Sequence, residues 1–404
     1  MADLKLVALH DASEWGSFHT ATSLAFGHIA DQSRIDRTAK SFEPDRAVKA
    51  VDGDLIVGTT AATSFQLTVP GGHKIAAGGL TAVSVRSTHT GRGLLTRMID
   101  WHFDDCRRRG EAVSILTASE SSIYHRYGYG VASHIESLAC ADGHTVLTPL
   151  ADAIARRGST ETGFLSDAID DVMPFYDQWH GTTVGSLSRN KEFWESFASD
   201  AYTNLQPGQA WQVAFHRDDL GTIDGYATYV IKPDWGSDRV HKGGIGVFEI
   251  VDLVPSARLA LWRFLTSIPL HGKISLDHSP PDEPIRLAMR DPRRLLTSAA
   301  NDFLWVRILD VPAALNARSY SLESGVVIGV DGQSFGRNDG EWREVTMAPD
   351  LTCSIADLGA VYLGGVSWNT LARAGRVDEK QAGGLRRADA LFRTESLPFC
   401  NSHF

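Results

Sequence analysis

The stretch of this 404-residue chain with the most chemical potential runs from Ala82 to Met98, AVSVRSTHTGRGLLTRM. It starts as an apolar β-type run and passes a polar loop holding Gly91 and Gly93. It ends with Leu94, Leu95, Met98 and Ile99 at helical spacing. Strand, glycine loop and helix start together predict an anion site. The glycines let successive N–H groups turn to one spot, and the helix N-terminus adds its dipole. Arg92 and Arg97 can add charge. A second cluster, Ala118-Ser-Glu-Ser-Ser-Ile-Tyr-His-Arg-Tyr-Gly-Tyr-Gly130, follows a predicted strand from Ala112 to Thr117. Its phenols, with a pKa of about 10, stay protonated at neutral pH and can donate a proton to a leaving group such as a thiolate. The last residues, Leu397-Pro-Phe-Cys-Asn-Ser-His-Phe404, are apolar and aromatic where a fraying tail is polar, so the terminus is expected inside the protein.

The loop spacing fits neither the dinucleotide fingerprint G-x-G-x-x-G nor the P-loop G-x-x-x-x-G-K-[ST]. Val83-x-Val85, a basic-polar turn and Gly-x-Gly resemble motif A of the GNAT acetyltransferases, with Thr90 and Leu95 departing from the usual pattern. The Ala118–Gly130 segment, Thr88-x-x-x-Arg92-Gly-Leu-Leu and the terminal Phe404 closely resemble the Eis family of actinobacterial acetyltransferases over essentially the full length. That resemblance implies an acetyl-CoA-dependent N-acetyltransferase acting on aminoglycosides, lysine side chains or polyamines. It implies that Val83, Ser84 and Val85 face the acetyl and pantetheine groups and that Gly91, Arg92, Gly93, Leu94, Leu95 and Thr96 hold the pyrophosphate. Ser119 and Glu120 are implied as further cofactor contacts, Tyr124 as general acid, and the Phe404 α-carboxylate as general base, with His403 as the alternative. Where the family carries an acidic substrate residue this chain has His28, which leaves the aminoglycoside range open; Asp31, Asp36, Glu43 and Glu120 are other sources of negative charge. The resemblance also implies a homohexamer.

These residues need elements to position them. The length predicts more than one hydrophobic core. Apolar content of 43% and charged content of 22% are those of a soluble globular protein. No apolar run reaches the roughly 20 residues of a membrane span, and the N-terminus lacks a signal-peptide core, so a cytoplasmic protein is expected. Cys106, Cys140, Cys353 and Cys400 form no C-x-x-C pair, which argues against a metal site or disulfide framework. The net charge of −10 argues against a nucleic-acid surface and suits a cationic substrate.

Asp11 to Glu14 offer caps for a helix carrying Trp15, Phe18, Ala21, Thr22 and Ala25 on one face. Arg46–Val51 and Leu55–Ala61 flank Asp52-Gly53, a type I′ hairpin signal, with a third strand ending near Leu67 and a fourth over Lys74–Val85. A helix from about Gly93 is expected to stop at Gly110. After a linker over 143–163, an aromatic helix holds Phe193, Trp194 and Phe197. Strands follow over 210–215, 225–231 and 246–253, then a helix over 255–268 capped by Ser256. Its turn, Val254-Pro-Ser-Ala-Arg258, has no glycine, so it is expected to hold no coenzyme A. From about Arg290 the expected elements are a strand over 303–310, a helix from Val311 to Ala317, hairpins at Asp331-Gly332 and Asp339-Gly340, and helices over 355–362 and 378–392.

The expected fold is α+β. A GNAT domain (1–145) and a degenerate GNAT-like domain (146–290), each on a mixed sheet, precede a sterol-carrier-protein-like domain (291–404). Two other functions compete: an apolar-ligand carrier with an inert GNAT part, and a coenzyme A-sensing regulatory protein.

Overall fold

The computed structural model of the chain describes residues 4–140, 146–199, 205, 208–234, 243–269, 272–322 and 325–404. The first stretch folds as β1 (Lys5–Ala8), α1 (Trp15–Ala25), α2 (Gln32–Thr38), β2 (Ala47–Asp52), β3 (Leu55–Thr68) and β4 (Lys74–Val85). It continues as α3 (Leu94–Arg108), β5 (Val113–Thr117), α4 (Ser121–Tyr124) and β6 (Gly130–Val131). The β2–β3 turn is Gly53–Asp54, with positive φ only at Gly53, the type II′ rather than the I′ pattern. The two strands expected between Leu55 and Leu67 are one continuous strand, and α2 was not foreseen. Helix α3 buries Leu94, Met98, Ile99, His102, Phe103 and Cys106 on one face. It ends where Gly110, at φ 74°, donates its N–H to Arg107 O.

The second stretch holds β7 (His134–Cys140), α5 (Pro149–Ala155), β8 (Ser159–Phe164), α6 (Ile169–Thr182), α7 (Lys191–Ala198), β9 (Gln212–Arg217) and β10 (Ile223–Lys232). It closes with β11 (Gly244–Asp252), α8 (Pro255–Ser267), β12 (Lys273–Ser279), α9 (Ile285–Ala288) and β13 (Leu295–Asp302). The expected linker is instead occupied by α5 and β8, while residues 143–145 of it lie outside the described residues. Ser256 does not cap α8: Val254 is the N-cap residue without a side-chain bond, because Pro255 takes the first turn.

The third stretch runs β14 (Leu304–Ile308), α10 (Val311–Ala317), β15 (Val327–Val330), β16 (Gln333–Asn338), β17 (Glu341–Val345) and β18 (Leu351–Cys353). Then come α11 (Ile355–Val361), α12 (Trp368–Arg373), β19 (Asp378–Glu379) and α13 (Gly384–Phe392). Both hairpins turn on Asp-Gly pairs, 331–332 and 339–340, with positive φ at all four positions, as a type I′ turn requires. The helix expected over 378–392 begins only after Gly383, whose φ of 83° starts α13. Trp342, Trp368 and Tyr362 are fully buried, and Trp342 and Trp368 both pack on the Phe392 ring, filling the interior.

The strands form three sheets, ordered β1-β2-β3-β4-β5-β14-β6, β13-β7-β12-β11-β10-β9-β8 and β17-β16-β15-β18-β19. The first sheet contains a strand from the third stretch of the chain, and the second is built of consecutive strands. β14 lies between β5 and β6, and β7 lies beside β12. By packing, the chain divides into two units. One unit comprises Met1–Ser133, Val184–Ser188 and Asp302–Phe404; the other comprises His134–Thr183 and Arg189–Asn301. The reason is non-local pairing: Leu304–Ile308 supplies the antiparallel partner that Val113–Thr117 lacks in its own stretch.

Candidate active site

Strands β4 and β5 run parallel and pair only from Ala77–Val113 to Gly79–Ile115. Beyond Ile115, β5 keeps pairing with β14 through Thr117–Leu304, while β4 continues against β3 to Val85–Gly58. The strands part, and among the described residues no strand lies beside the β4 edge from Leu80 to Val85 on the β5 side. The β3–β4 register shifts between Thr59 and Ala61, and Ala82 sits in the bulge at φ 50°. A left-handed alanine costs about 1–2 kcal/mol, so the fold maintains this kink against the local preference. Val83 packs against the apolar cluster that includes Leu80 and Leu116, and Val85 against the one that includes Leu94 and Met98. Ser84 turns its hydroxyl to Thr59 at 2.6 Å.

At the end of β4 the chain enters the glycine loop. Gly91 and Gly93 have φ of 73° and 72°, and a Cβ at either would meet nothing within 4 Å. Backbone conformation, not crowding, selects glycine there. Gly93 is the N-cap of the 15-residue α3 and offers no side chain to its first amides. Such a helix start suits an anion. Leu94 is buried, Leu95 half-buried, and Thr96 is exposed with its hydroxyl 3.1 Å from Tyr127 Oη. Arg92 is exposed and donates to Thr88 O. Arg97, also exposed, donates to Leu4 O. The sequence reading passed over His89, which braces the loop from beneath: its ring lies 2.8 Å from Thr88 Oγ1 and 3.2 Å from Asp52 Oδ2. Its place between two threonines was the available signal.

Across the gap, Ser119 and Glu120 are exposed at the end of β5, and Glu120 accepts from Ser122 Oγ. Tyr124 closes the one-turn α4 and is 7% exposed. Burial raises its pKa, and Glu120 and Tyr127 add to the rise. Its ring stands edge-on to Tyr129 at 6.0 Å, in the cluster that includes Leu80 and Leu116. Tyr129 is fully buried, with Oη 2.7 Å from Ser114 Oγ, which is itself 2.7 Å from His102 Nε2. Full burial, and then the Arg46 guanidinium, push the His102 pKa down to about 3. Arg46 is completely enclosed and binds both Glu111 oxygens and Asp105. A Cβ on Gly78 would lie 2.4 Å from Cys106 Sγ and 2.7 Å from Glu111 Oε2, so this polar core presses directly on β4.

The carboxy-terminal tail reaches the same strand. Phe399, Cys400, Asn401 and Ser402 are buried, and Phe399 N–H donates to Val184 O. The Phe404 ring packs on Phe65 at 4.8 Å, and a Cβ on Gly79 would lie 2.9 Å from it. The terminal residue thus lies at the last paired position of β4, next to the Leu80 that packs with Tyr124. His403 packs on Phe303 at 4.8 Å. His28 is exposed beyond α1. Glu43 is engaged by Ser64 N–H and Oγ, and Asp36 by Gln32. A cleft of about 880 Å³ opens between α1 and the β3–β4 pair. Its lining includes Thr20, Leu24, Val57, Ser84, Val85 and Arg86. Among the described residues no metal-binding cluster occurs, and no helix is long and apolar enough to cross a membrane.

Comparison with known proteins places this geometry. Residues 8–132 and 185–308 each match an acetyltransferase (GNAT) domain family, and residues 311–401 match a sterol carrier protein domain family. An uncharacterized N-acetyltransferase of Streptomyces avermitilis is 34% identical over 401 residues, covering 96% of each chain. N-acetyltransferase Eis of Mycobacterium tuberculosis is 31% identical over 354 residues, 85% of this chain and 84% of its own. The crystal structure of Eis1 from Mycobacterium abscessus superposes with a TM-score of 0.85 at 28% identity, over 99% of this chain and 100% of that one. A GCN5-related N-acetyltransferase from Anabaena variabilis shares the fold at a TM-score of 0.83 and 16% identity, over 99% and 100% of the two chains. A sequence that aligns with Eis proteins through most of its length, folded as two GNAT domains and a sterol-carrier-like one, belongs to the Eis family of N-acetyltransferases.

Proposed function

We propose that this N-acetyltransferase transfers the acetyl group of acetyl-CoA directly to an amine in the gap between β4 and β5. The reading rests mainly on that gap, bounded at one end by an uncapped helix start on two left-handed glycines and at the other by Tyr124 and the Phe404 ring. The residues fit the group: the Gly91–Thr96 amides suit a diphosphate, and the space beside both glycines is open. Val83 and Val85 main-chain groups would bind the pantetheine and the acetyl carbonyl, with Ser84 between them. Ser119 and Glu120 would flank the cofactor at the end of β5. Acetyl-CoA supplies an activated acyl thioester.

Tyr124 would hold the proton that passes to the departing sulfur. The departing thiolate, whose conjugate acid has a pKa of about 8.5, would take it from a phenol that burial keeps protonated at neutral pH, the step being driven by collapse of the tetrahedral adduct. The Phe404 α-carboxylate would take a proton from the substrate ammonium, leaving the neutral amine to attack the thioester carbon. The family also brings the expectation of a homohexamer, which analytical sedimentation measures.

The test is release of free thiol from acetyl-CoA over a panel of monoamines, polyamines, lysine peptides and aminoglycosides. Tyr124→Phe should lower kcat at least about a hundredfold and remove the alkaline limb of the pH profile, which burial of the phenol shifts upward in the parent enzyme. A residue appended after Phe404 should abolish turnover while coenzyme A still binds. Full activity in either variant sinks the corresponding assignment. The carrier reading predicts instead that calorimetry detects fatty-acid binding but no coenzyme A binding.

A further inference from the structure

Thr59 of β3 has no place in the site described so far, yet it lies beneath the strained part of β4. It is fully buried, and its hydroxyl donates to Ala82 O at 2.8 Å. The same oxygen lies 2.6 Å from Ser84 Oγ and 3.0 Å from Thr22 Oγ1 of α1. A hydroxyl has one hydrogen and two lone pairs, so with its hydrogen committed to Ala82 it can accept from both neighbours. Thr22 also lies 3.1 Å from Phe18 O, an alternative acceptor for its own hydrogen.

The bond to Ala82 sets a direction. Among the described residues no peptide bond is cis, and in a planar trans peptide the C=O and the following N–H point opposite ways. With the Ala82 carbonyl held toward Thr59, the Val83 N–H must point away from β3. The register agrees. Arg86 N–H donates to Val57 O and so faces β3. Main-chain groups alternate along a strand, so Ser84 N–H faces β3, and Val83 and Val85 N–H face the opposite edge. That edge is the one β5 leaves after the Gly79–Ile115 pair.

We propose that Thr59 is a positioning residue for acetyl transfer: its hydroxyl locks the Ala82–Val83 peptide so that the Val83 N–H is aimed at the carbonyl oxygen of the thioester. This rests on the acetyl-CoA reading above. An aimed amide matters most as negative charge grows on that oxygen, where loss of a whole donor costs about 10²–10³ in rate. Freeing the peptide to tilt costs less than deleting the donor, on the order of tenfold in kcat.

The test compares coenzyme A with acetyl-CoA by calorimetry on the full chain, alongside steady-state kinetics. Coenzyme A makes the same diphosphate and pantetheine contacts and lacks only the carbonyl. Thr59→Val should bind coenzyme A as the parent does, while its acetyl-CoA affinity falls several-fold and its kcat about tenfold. Thr59→Ser, which keeps the hydroxyl, should restore both, and Thr22→Val should change neither. If the valine variant does not melt cooperatively, Thr59→Ala takes its place. Equal losses of coenzyme A and acetyl-CoA affinity overturn the proposal, as does a Thr22→Val effect as large as that at Thr59. A parent protein that fails to bind coenzyme A removes the acetyl-CoA reading, and this proposal with it.

Discussion

The two acetyltransferase sheets build the same junction from different residues. In the first, β4 and β5 stay in register only to Gly79–Ile115; in the second, β11 and β12 stay in register only to Val247–Leu276. Each pair encloses a crossover helix, α3 or α8. The first helix begins on Gly93, with open space around both loop glycines. The second begins with Pro255, and its first turn carries Arg258, bonded to Glu283 and Asp252 carboxylates and to Ile250 O. At the parting of the second pair, Phe248 packs on Phe197 at 4.4 Å and on Trp211, and Glu249 pairs with the fully enclosed Arg189. Rings and an internal ion cluster lie where the first sheet has its gap between β4 and β5. Two carboxylates beside the helix start would also repel a diphosphate. The fold is shared, and the chemistry lies in a few residues placed on it.

The strongest way to probe the contrast is to remove Arg258. Arg258→Met leaves Glu283, whose side chain is 1% exposed, without its cation, and should cost about 3–5 kcal/mol of stability in urea unfolding. Acetyl-CoA affinity of the folded fraction should not change. A weakened affinity would mean that the second sheet takes part in cofactor binding after all. The converse change acts on the first sheet. Gly93→Val forces a β-branched residue into φ 72° and should weaken acetyl-CoA binding about a hundredfold, roughly 2.7 kcal/mol. Pro255→Gly in the second loop should leave binding as it was. Equal effects of the two substitutions would erase the distinction.

A smaller effect concerns the polar core under β4. His102 has a folded pKa of about 3 against about 6.5 unfolded, so between these values only the unfolded chain takes up the proton. Stability should therefore fall as pH drops from 6.5 toward 3, by up to about 1.4 kcal/mol per pH unit from this residue. His102→Gln should flatten that slope in thermal melts at pH 4 to 7. Parallel slopes in parent and variant would show that the imidazole is not held neutral.

The parts of this architecture that were legible in the sequence are the ones written locally. Gly91 and Gly93 announce positive φ, the four residues of the two Asp-Gly turns do the same, and α3 carries its apolar stripe at helical spacing. The buried tail showed in its composition. What escaped was set at a distance. Gly78 and Gly79 look like ordinary strand residues until Cys106 and Phe404 press against them. Thr59 matters only because the β3–β4 register places it under Ala82. Helices α2, α6 and α12 went unread, α6 with Pro174 in its interior. Leu304–Ile308 reads as a strand, but nothing near it says that its partner is Val113–Thr117.

That pairing governs how the chain can be made. A ribosome releasing this polypeptide from its N-terminus exposes β5 long before residue 304 emerges, so the nascent first sheet waits with one margin bare. Such a margin invites pairing with other nascent chains until the late strand arrives. Closure over so long a separation is slow. A fragment ending near residue 132 would lack the strand that finishes its own sheet, so an isolated first domain should aggregate where the whole chain does not.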